Sequence, residues 1–136
     1  MAVAEKWLTD HDLSCRRLYG PDHDVVGVVC EVGGAVRGST WVLDACLDTA
    51  PFGDESAWSF PPTAGDVVGG WLRGRGSADS KSGASLFCHI AAAVAPHADR
   101  LEGTLAVLLD VDEHTGEFGG VRAFLSVAAQ RRSEGF

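Results

Sequence analysis

Short apolar runs that are typical of buried β-strands alternate along this chain with segments that have helical spacing. Strands are predicted at residues 25–32, 40–47 and 104–111, because each run is short and rich in Val, Leu or Ala. Helices are predicted at residues 80–94 and 119–132, where apolar side chains recur at the spacing of one helix face. This alternation predicts an α/β fold with a mixed, mostly parallel sheet flanked by helices.

Three further segments have less regular patterns. Residues 1–18 have the spacing of an amphipathic helix, with a break predicted near residues 9–12. Residues 51–70 hold three of the five prolines and several aromatic side chains, which predicts an ordered loop rather than a linker. A short strand is predicted at residues 71–75. The strand at 40–47 is apolar nearly throughout, so both of its faces are expected to be buried.

Composition excludes several classes of protein. The chain has 136 residues, which suits one domain, and its 46% hydrophobic content is enough to form a core. Eleven Lys and Arg against nineteen Asp and Glu give a net charge of -8, so neither nucleic acid nor a membrane surface is an expected partner. No segment resembles a transmembrane helix or a signal peptide. Four cysteines without a Cys-x-x-Cys pair are typical of free thiols, which predicts a cytoplasmic location.

Potential metal ligands follow the predicted strands, at the edge of an α/β sheet where chemistry usually collects. Cys46 and Asp48 end the strand at 40–47, and Asp79 lies in a glycine-rich loop before a helix. Glu113 and His114 follow the strand at 104–111. The region from residue 41 to residue 72 contains no Lys or Arg, so a divalent cation would offset the charge of its acids.

Each cluster also has an ordinary structural explanation. Cys46 is explained by simple burial and Asp48 by a turn before proline. Asp79 is explained as a helix N-cap, and its loop lacks the Gly-Lys-Ser/Thr ending of a phosphate loop. Glu113 and His114 are explained as part of a solvated loop. The residues alone therefore leave both a metal site and a purely structural role open.

Four ordered motifs carry a family resemblance from about Val25 onward. The chain resembles the aminoacylase, acetylornithine deacetylase and succinyl-diaminopimelate desuccinylase family in four places, which are Leu47-Asp48-Thr49-Ala50-Pro51, Trp58 with Pro61-Pro62, the run from Gly74 to Gly83, and Asp112-Glu113-His114-Thr115-Gly116 with Gly119-Gly120. The resemblance implies a hydrolase that uses two zinc ions, with cobalt as a possible substitute, to cleave amide bonds. Its substrates would be small N-acyl amino acids or peptides.

The same resemblance implies roles for individual residues. Asp79 matches the acid that bridges the two metal ions, and Glu113 matches the general base. Cys46 stands where the family has a histidine ligand, and His114 stands where a glutamate ligand is usual. Asp48 matches the acid that orients the ligand at position 46. A thiolate makes a bound zinc ion a weaker Lewis acid than imidazole does, so Cys46 counts against high activity.

The family pattern also contains parts that lie beyond Phe136, including another acidic ligand, a histidine ligand and an inserted dimerisation domain. Residues 1–136 are therefore expected to form the N-terminal part of a catalytic domain, without the dimerisation domain. Two functions follow as hypotheses. The chain is either a metal-dependent amide hydrolase of low activity on its own, or an inactive truncated relative that keeps the fold and binds at most one metal ion.

Overall fold

The computed structural model describes the backbone of residues 1–133 and the side chains of residues 1–129. A four-stranded sheet lies between helices, and a small two-stranded hairpin stands apart from it. In chain order, the elements are α1 (Ala2–Asp10), β1 (Cys15–Tyr19), β2 (Val25–Gly33), β3 (Val36–Cys46), β4 (Asp66–Val68), β5 (Trp71–Arg73), α2 (Ser82–Val94), β6 (Glu102–Asp110) and α3 (Gly119–Ser133).

The main sheet is mixed, in the order β1-β2-β6-β3, which confirms the predicted class of sheet with flanking helices. The expectation of mostly parallel pairing is wrong. Strand β6 is parallel to β3 but antiparallel to β2, and β1 is antiparallel to β2. The reason lies in the short connection between β2 and β3. These two strands run in opposite directions, and β6 lies between them, so β6 can be parallel to only one of them.

The first segment of the chain differs from its prediction. Helix α1 ends at Asp10, near the predicted break, but residues 15–19 form an edge strand instead of more helix. Leu18 is buried in this strand, and the Nε atom of Arg16 lies 3.6 Å from a carboxylate oxygen of Glu31 on β2. The helical spacing of residues 1–18 was misleading because pairing with β2 decides the conformation of such a short segment.

The core occupies both faces of the sheet, as expected for a layered fold. One layer places Leu8 of α1 and Ala91 of α2 against Val28 and Leu109 of the sheet. The second layer packs Phe124 of α3 against the opposite face, where Leu18, Val26, Val29, Ala106 and Leu108 lie. None of the helices formed by residues 1–133 is both long enough and apolar enough to cross a membrane.

Strand β3 is far more exposed than predicted. Trp41 is 68% exposed and Val42 is 42% exposed, so the expected burial of both faces is wrong. The cause is the position of β3 at the edge of the sheet, where it pairs only with β6. Only its last two residues, Ala45 and Cys46, are buried.

The sheet topology brings two polar segments to one edge. Cys46 at the end of β3 is in register with Asp110 at the end of the parallel strand β6. The N–H of Leu47 then donates a hydrogen bond of 2.7 Å to the carbonyl of Asp110. A third segment, the irregular helical turn Ser77–Lys81, precedes α2 and packs against β3. Segments that are distant in sequence therefore meet where β3 and β6 end.

Candidate metal centre

Three potential metal ligands converge at the ends of β3 and β6. Cys46, Glu113 and His114 each present one ligand atom, and these atoms all lie within 4.8 Å of one another. The Sγ atom of Cys46 lies 3.8 Å from Nε2 of His114 and 4.0 Å from Oε2 of Glu113. The same Glu113 oxygen lies 3.3 Å from Nδ1 of His114. Cys46 is buried and Glu113 is exposed, so the cluster opens towards solvent.

Ser80 is a neighbour of the cluster that sequence reasoning did not select. Its hydroxyl oxygen lies 3.3 Å from Sγ of Cys46 and donates a hydrogen bond of 2.9 Å to the Cys46 carbonyl. The turn before α2 places it there, and the Asp79–Ser80 peptide bond in that turn is cis. Its position directly after Asp79 was the only sequence signal for it.

Asp48 contacts the loop after β6. Its Oδ2 atom accepts a hydrogen bond of 3.1 Å from the main-chain N–H of His114. Its Oδ1 atom is buried and has no hydrogen-bond partner among residues 1–133. A buried carboxylate oxygen without a partner is costly, and a nearby cation would lower that cost. The structure thus connects Asp48 to the main chain of His114, whereas the family resemblance assigned it to the ligand at position 46.

Asp79 lies beside the cluster but does not join the group of three. It is exposed and lines a small cavity together with His114. Its negative charge is among the causes that raise the pKa of Cys46, which indicates that the two groups are near each other. The role of Asp79 as a bridging ligand stays a prediction.

Electrostatics at Cys46 favour the neutral thiol. Burial raises its pKa above the ordinary value, the hydrogen bond with Ser80 opposes that effect, and the negative charges of Asp48, Glu113 and Asp79 raise the pKa further. A bound cation would reverse this balance, because it favours the thiolate and neutralises the carboxylates.

The chemistry of the cluster fits a divalent metal ion such as zinc. Sulfur and imidazole nitrogen are established zinc ligands, and a carboxylate beside them can either bind the ion or act on a water molecule next to it. The buried Oδ1 atom of Asp48, which has no hydrogen-bond partner among the described residues, lies in the same region. A cation bound there would compensate its negative charge. The residues present therefore fit a metal ion.

Asp110 is a buried acid next to this cluster and outside the ligand group. It is 2% exposed, and burial, followed by the charges of Asp44 and Asp48, raises its pKa to about 6. The nearby main-chain N–H of Val121, in the first turn of α3, opposes this rise in pKa, while Oδ2 of Asp110 is buried without a hydrogen-bond partner among the described residues. A side chain at Gly120 would come within 2.2 Å of the Asp110 Cβ atom, so glycine is required for α3 to begin this close to β6.

Comparison with known proteins identifies relatives over most of the chain. Residues 42–135 match the profile of peptidase family M20/M25/M40. A succinyl-diaminopimelate desuccinylase of Parvibaculum lavamentivorans is 31% identical over 134 residues, which is 96% of this chain and 33% of the relative. A succinyl-diaminopimelate desuccinylase 1 of a Ruegeria species is 30% identical over 92% of this chain and 32% of the relative. The chain thus spans about a third of the length of these relatives.

Solved structures show the same fold. Human carnosine dipeptidase 1 superposes with a TM-score of 0.67 at 20% identity, over 88% of this chain and 27% of that protein. The YXEP protein of Bacillus subtilis, described as a dinuclear metal-binding peptidase of the M20 family, gives a TM-score of 0.63 at 19% identity, over 94% of this chain and 33% of that protein. Both similarities confirm the predicted α/β architecture.

Proposed function

This chain belongs to peptidase family M20/M25/M40, and on that premise we propose that it is the N-terminal part of the catalytic domain of a metal-dependent amide hydrolase. The convergence of Cys46, Glu113 and His114 at the ends of two parallel strands carries the proposal. Three segments that are distant in sequence contribute to this one edge of the sheet. Folding alone does not require ionisable groups to lie together at this edge, so their clustering favours a functional site.

Cys46 and His114 are the proposed metal ligands, with Asp79 as the acid that would bridge to a second ion. We assign zinc, with cobalt as a functional substitute, because thiolate and imidazole suit these metals better than magnesium or calcium. A divalent metal ion held by these residues would polarise the substrate carbonyl and make a water molecule more acidic.

Glu113 is the proposed general base. Its carboxylate is exposed at the mouth of the cluster, where it can take a proton from the water that attacks the amide carbon. The carbon–nitrogen bond then breaks, and Glu113 returns the proton to the leaving amine. Asp48 acts as a positioning residue, because it holds the main chain of His114 without reaching the reacting atoms.

We propose small N-acyl amino acids or peptides as substrates. The support comes from the similar proteins, which are named as a succinyl-diaminopimelate desuccinylase and as carnosine dipeptidase 1. We also retain the proposed cytoplasmic location, since all four cysteines are free thiols.

Metal binding is the first test of this function. The purified chain is titrated with zinc and with cobalt, and one or more ions per chain are expected to bind. His114→Ala should weaken binding by more than the about 10- to 100-fold that is typical of losing a group that only orients a ligand, since it removes a ligand itself. His89→Ala is the matched control, because His89 is exposed on α2 and lies outside the cluster. Equal affinity in both variants would remove the basis of the proposal.

Hydrolysis is the second test. The metal-loaded chain is assayed on N-acyl amino acids and dipeptides, and Glu113→Gln should abolish whatever turnover is found, because the amide cannot accept the proton. Turnover that survives Glu113→Gln would contradict the assigned base.

A second candidate function is metal binding without catalysis. The observation that favours it is Cys46, whose thiolate would weaken a bound zinc ion as a Lewis acid. Stoichiometric zinc binding without turnover on any amide would support this candidate over the first.

A further inference from the structure

A cavity of about 200 Å³ opens beside the proposed metal centre. It is lined by His114 and by the loop from Gly74 to Asp79. Trp58, in the long loop between β3 and β4, also lines it. Because His114 also belongs to the ligand cluster, a group bound in this cavity would be adjacent to the metal.

Among the described residues that line this cavity, Arg75 is the only Lys or Arg. Its main-chain N–H donates a hydrogen bond of 2.7 Å to Pro62, and its Nε atom donates one of 3.2 Å to the carbonyl of Ala50. Within the part of the chain that the structure describes, neither of its two terminal amino groups has a hydrogen-bond partner. The bond from Nε therefore holds the guanidinium group in place, while its two terminal amino groups remain available to bind a ligand.

The indole of Trp58 is also held in place. Its N–H donates a hydrogen bond of 2.9 Å to the carbonyl of Phe52, and its ring packs edge-on against Phe60 at 5.7 Å between centroids. Since the N–H is already used, Trp58 offers the cavity an apolar wall rather than a polar contact.

Arg75 is a positive charge in an acidic region of the chain. Residues 41–72 contain no Lys or Arg, and the acidic side chain of Asp79 lines the same cavity. A guanidinium group with two free amino groups is well suited to bind a carboxylate through paired hydrogen bonds.

We infer that Arg75 is a specificity-determining residue that binds a carboxylate of the substrate, with the apolar part of that substrate against Trp58. The inference rests on the proposed amide hydrolysis, and it assigns to Arg75 the recognition of the carboxylate that the proposed N-acyl amino acid and peptide substrates carry. Such a substrate would place its amide near His114 while its carboxylate meets the terminal amino groups of Arg75.

The alternative is that Arg75 only connects two loops through its bonds to Pro62 and Ala50. That structural role would lower stability when the side chain is changed, but it would not distinguish a carboxylate from a neutral carboxamide. The difference between two such ligands is therefore the informative measurement.

The test compares N-acetyl-L-alanine with its neutral analogue N-acetyl-L-alaninamide. Binding of each to the full chain is followed by NMR titration, both without metal and with zinc. The wild-type chain should bind the carboxylate at least about tenfold more tightly, from the strength of a charge-assisted hydrogen bond. Arg75→Gln should remove that preference and leave the weak binding of the carboxamide unchanged.

Arg37→Gln is the matched control, because it removes one exposed positive charge at the far end of β3. It should leave the preference intact, and a thermal unfolding curve shows whether each variant is folded. A preference that survives in folded Arg75→Gln, or that is absent from the wild-type chain, overturns the inference. A chain that binds no zinc but shows the Arg75-dependent preference would instead contradict the proposed function alone.

Discussion

The carboxylate of Asp48 accepts a hydrogen bond from the main-chain N–H of His114, with 3.1 Å between Oδ2 and the nitrogen. This bond joins the segment that follows β3 to the loop that follows β6. Because Cys46 lies two residues before Asp48, the contact also sets the position of His114 relative to the thiol. One carboxylate therefore fixes the geometry between two proposed ligands without binding the metal itself.

Replacing Asp48 should weaken metal binding even though Asp48 is not a proposed ligand. Asp48→Ala is expected to lower zinc affinity by about 10- to 100-fold, the usual effect of losing a group that orients a ligand. Asp48→Asn keeps an acceptor oxygen and should lose less. Zinc affinity is measured by competition with a chelator, and Asp66→Ala, at an exposed position on β4, is the control. A normal affinity in Asp48→Ala would mean that the bond to His114 is dispensable.

The strand-end clusters could be predicted from sequence because parallel strands end at a common edge. Cys46, Glu113 and His114 do meet there. Ser80 could not be predicted, since its contact with Cys46 depends on the path of the turn before α2.

Strand β1 shows the limit of spacing arguments for the fold. Arg16 and Arg17 fit the exposed face of a helix as well as an edge strand, and only the pairing with β2 distinguishes the two. The exposure of β3 was missed for a similar reason, because strand order is a property of the whole sheet. Its apolar run looks the same in the centre of a sheet and at the edge.

Changing Cys46 to histidine should strengthen zinc binding. Burial raises the pKa of the Cys46 thiol, so at pH 7 the group must lose a proton before it can bind a metal. A neutral imidazole avoids that cost, and the gain is expected to be roughly tenfold or more. Cys46→Ser should bind more weakly than wild type. Ser85→His, on the exposed side of α2, controls for the added imidazole. An unchanged affinity in Cys46→His would indicate that position 46 contributes no ligand.

Asp110 should make the metal-free chain less stable at neutral pH. Its pKa is raised from 3.8 to about 6, so the folded state holds a proton that the unfolded state has lost between these values. Its contribution to stability is therefore present below about pH 4 and is lost as the pH rises to about 6. Asp110→Asn should stabilise the chain at pH 7 by up to about 3 kcal/mol, with little effect at pH 4.

The measurement is denaturant unfolding of both proteins in the presence of a chelator, at several pH values. Asp22→Asn removes one exposed charge and is the control for overall electrostatics. A difference between wild type and Asp110→Asn that does not change between pH 4 and pH 7 would contradict the raised pKa.

The register of β1 against β2 predicts a specific disulfide. Cys15 and Cys30 are directly opposite each other on these antiparallel strands, where Cβ atoms are about 4.5 to 5.5 Å apart. A small closing movement brings them within reach of a disulfide. Burial raises the pKa of both thiols, that of Cys30 to about 11, so the reaction requires alkaline pH. Oxidised glutathione at pH 9 should join the pair, release two molecules of reduced glutathione, and lower the protein mass by about 2 Da.

Peptide mapping would identify which cysteines are joined. Cys15→Ser and Cys30→Ser should abolish the mass change, while Cys46→Ser should retain it. Cys88 is the competitor, because its charge also raises the pKa of Cys30 and it therefore lies nearby. A helix continuing from α1 through residue 18 would lack the strand register that places Cys15 opposite Cys30. A Cys15–Cys30 link would thus support strand β1, whereas a Cys30–Cys88 link or no link would contradict the register.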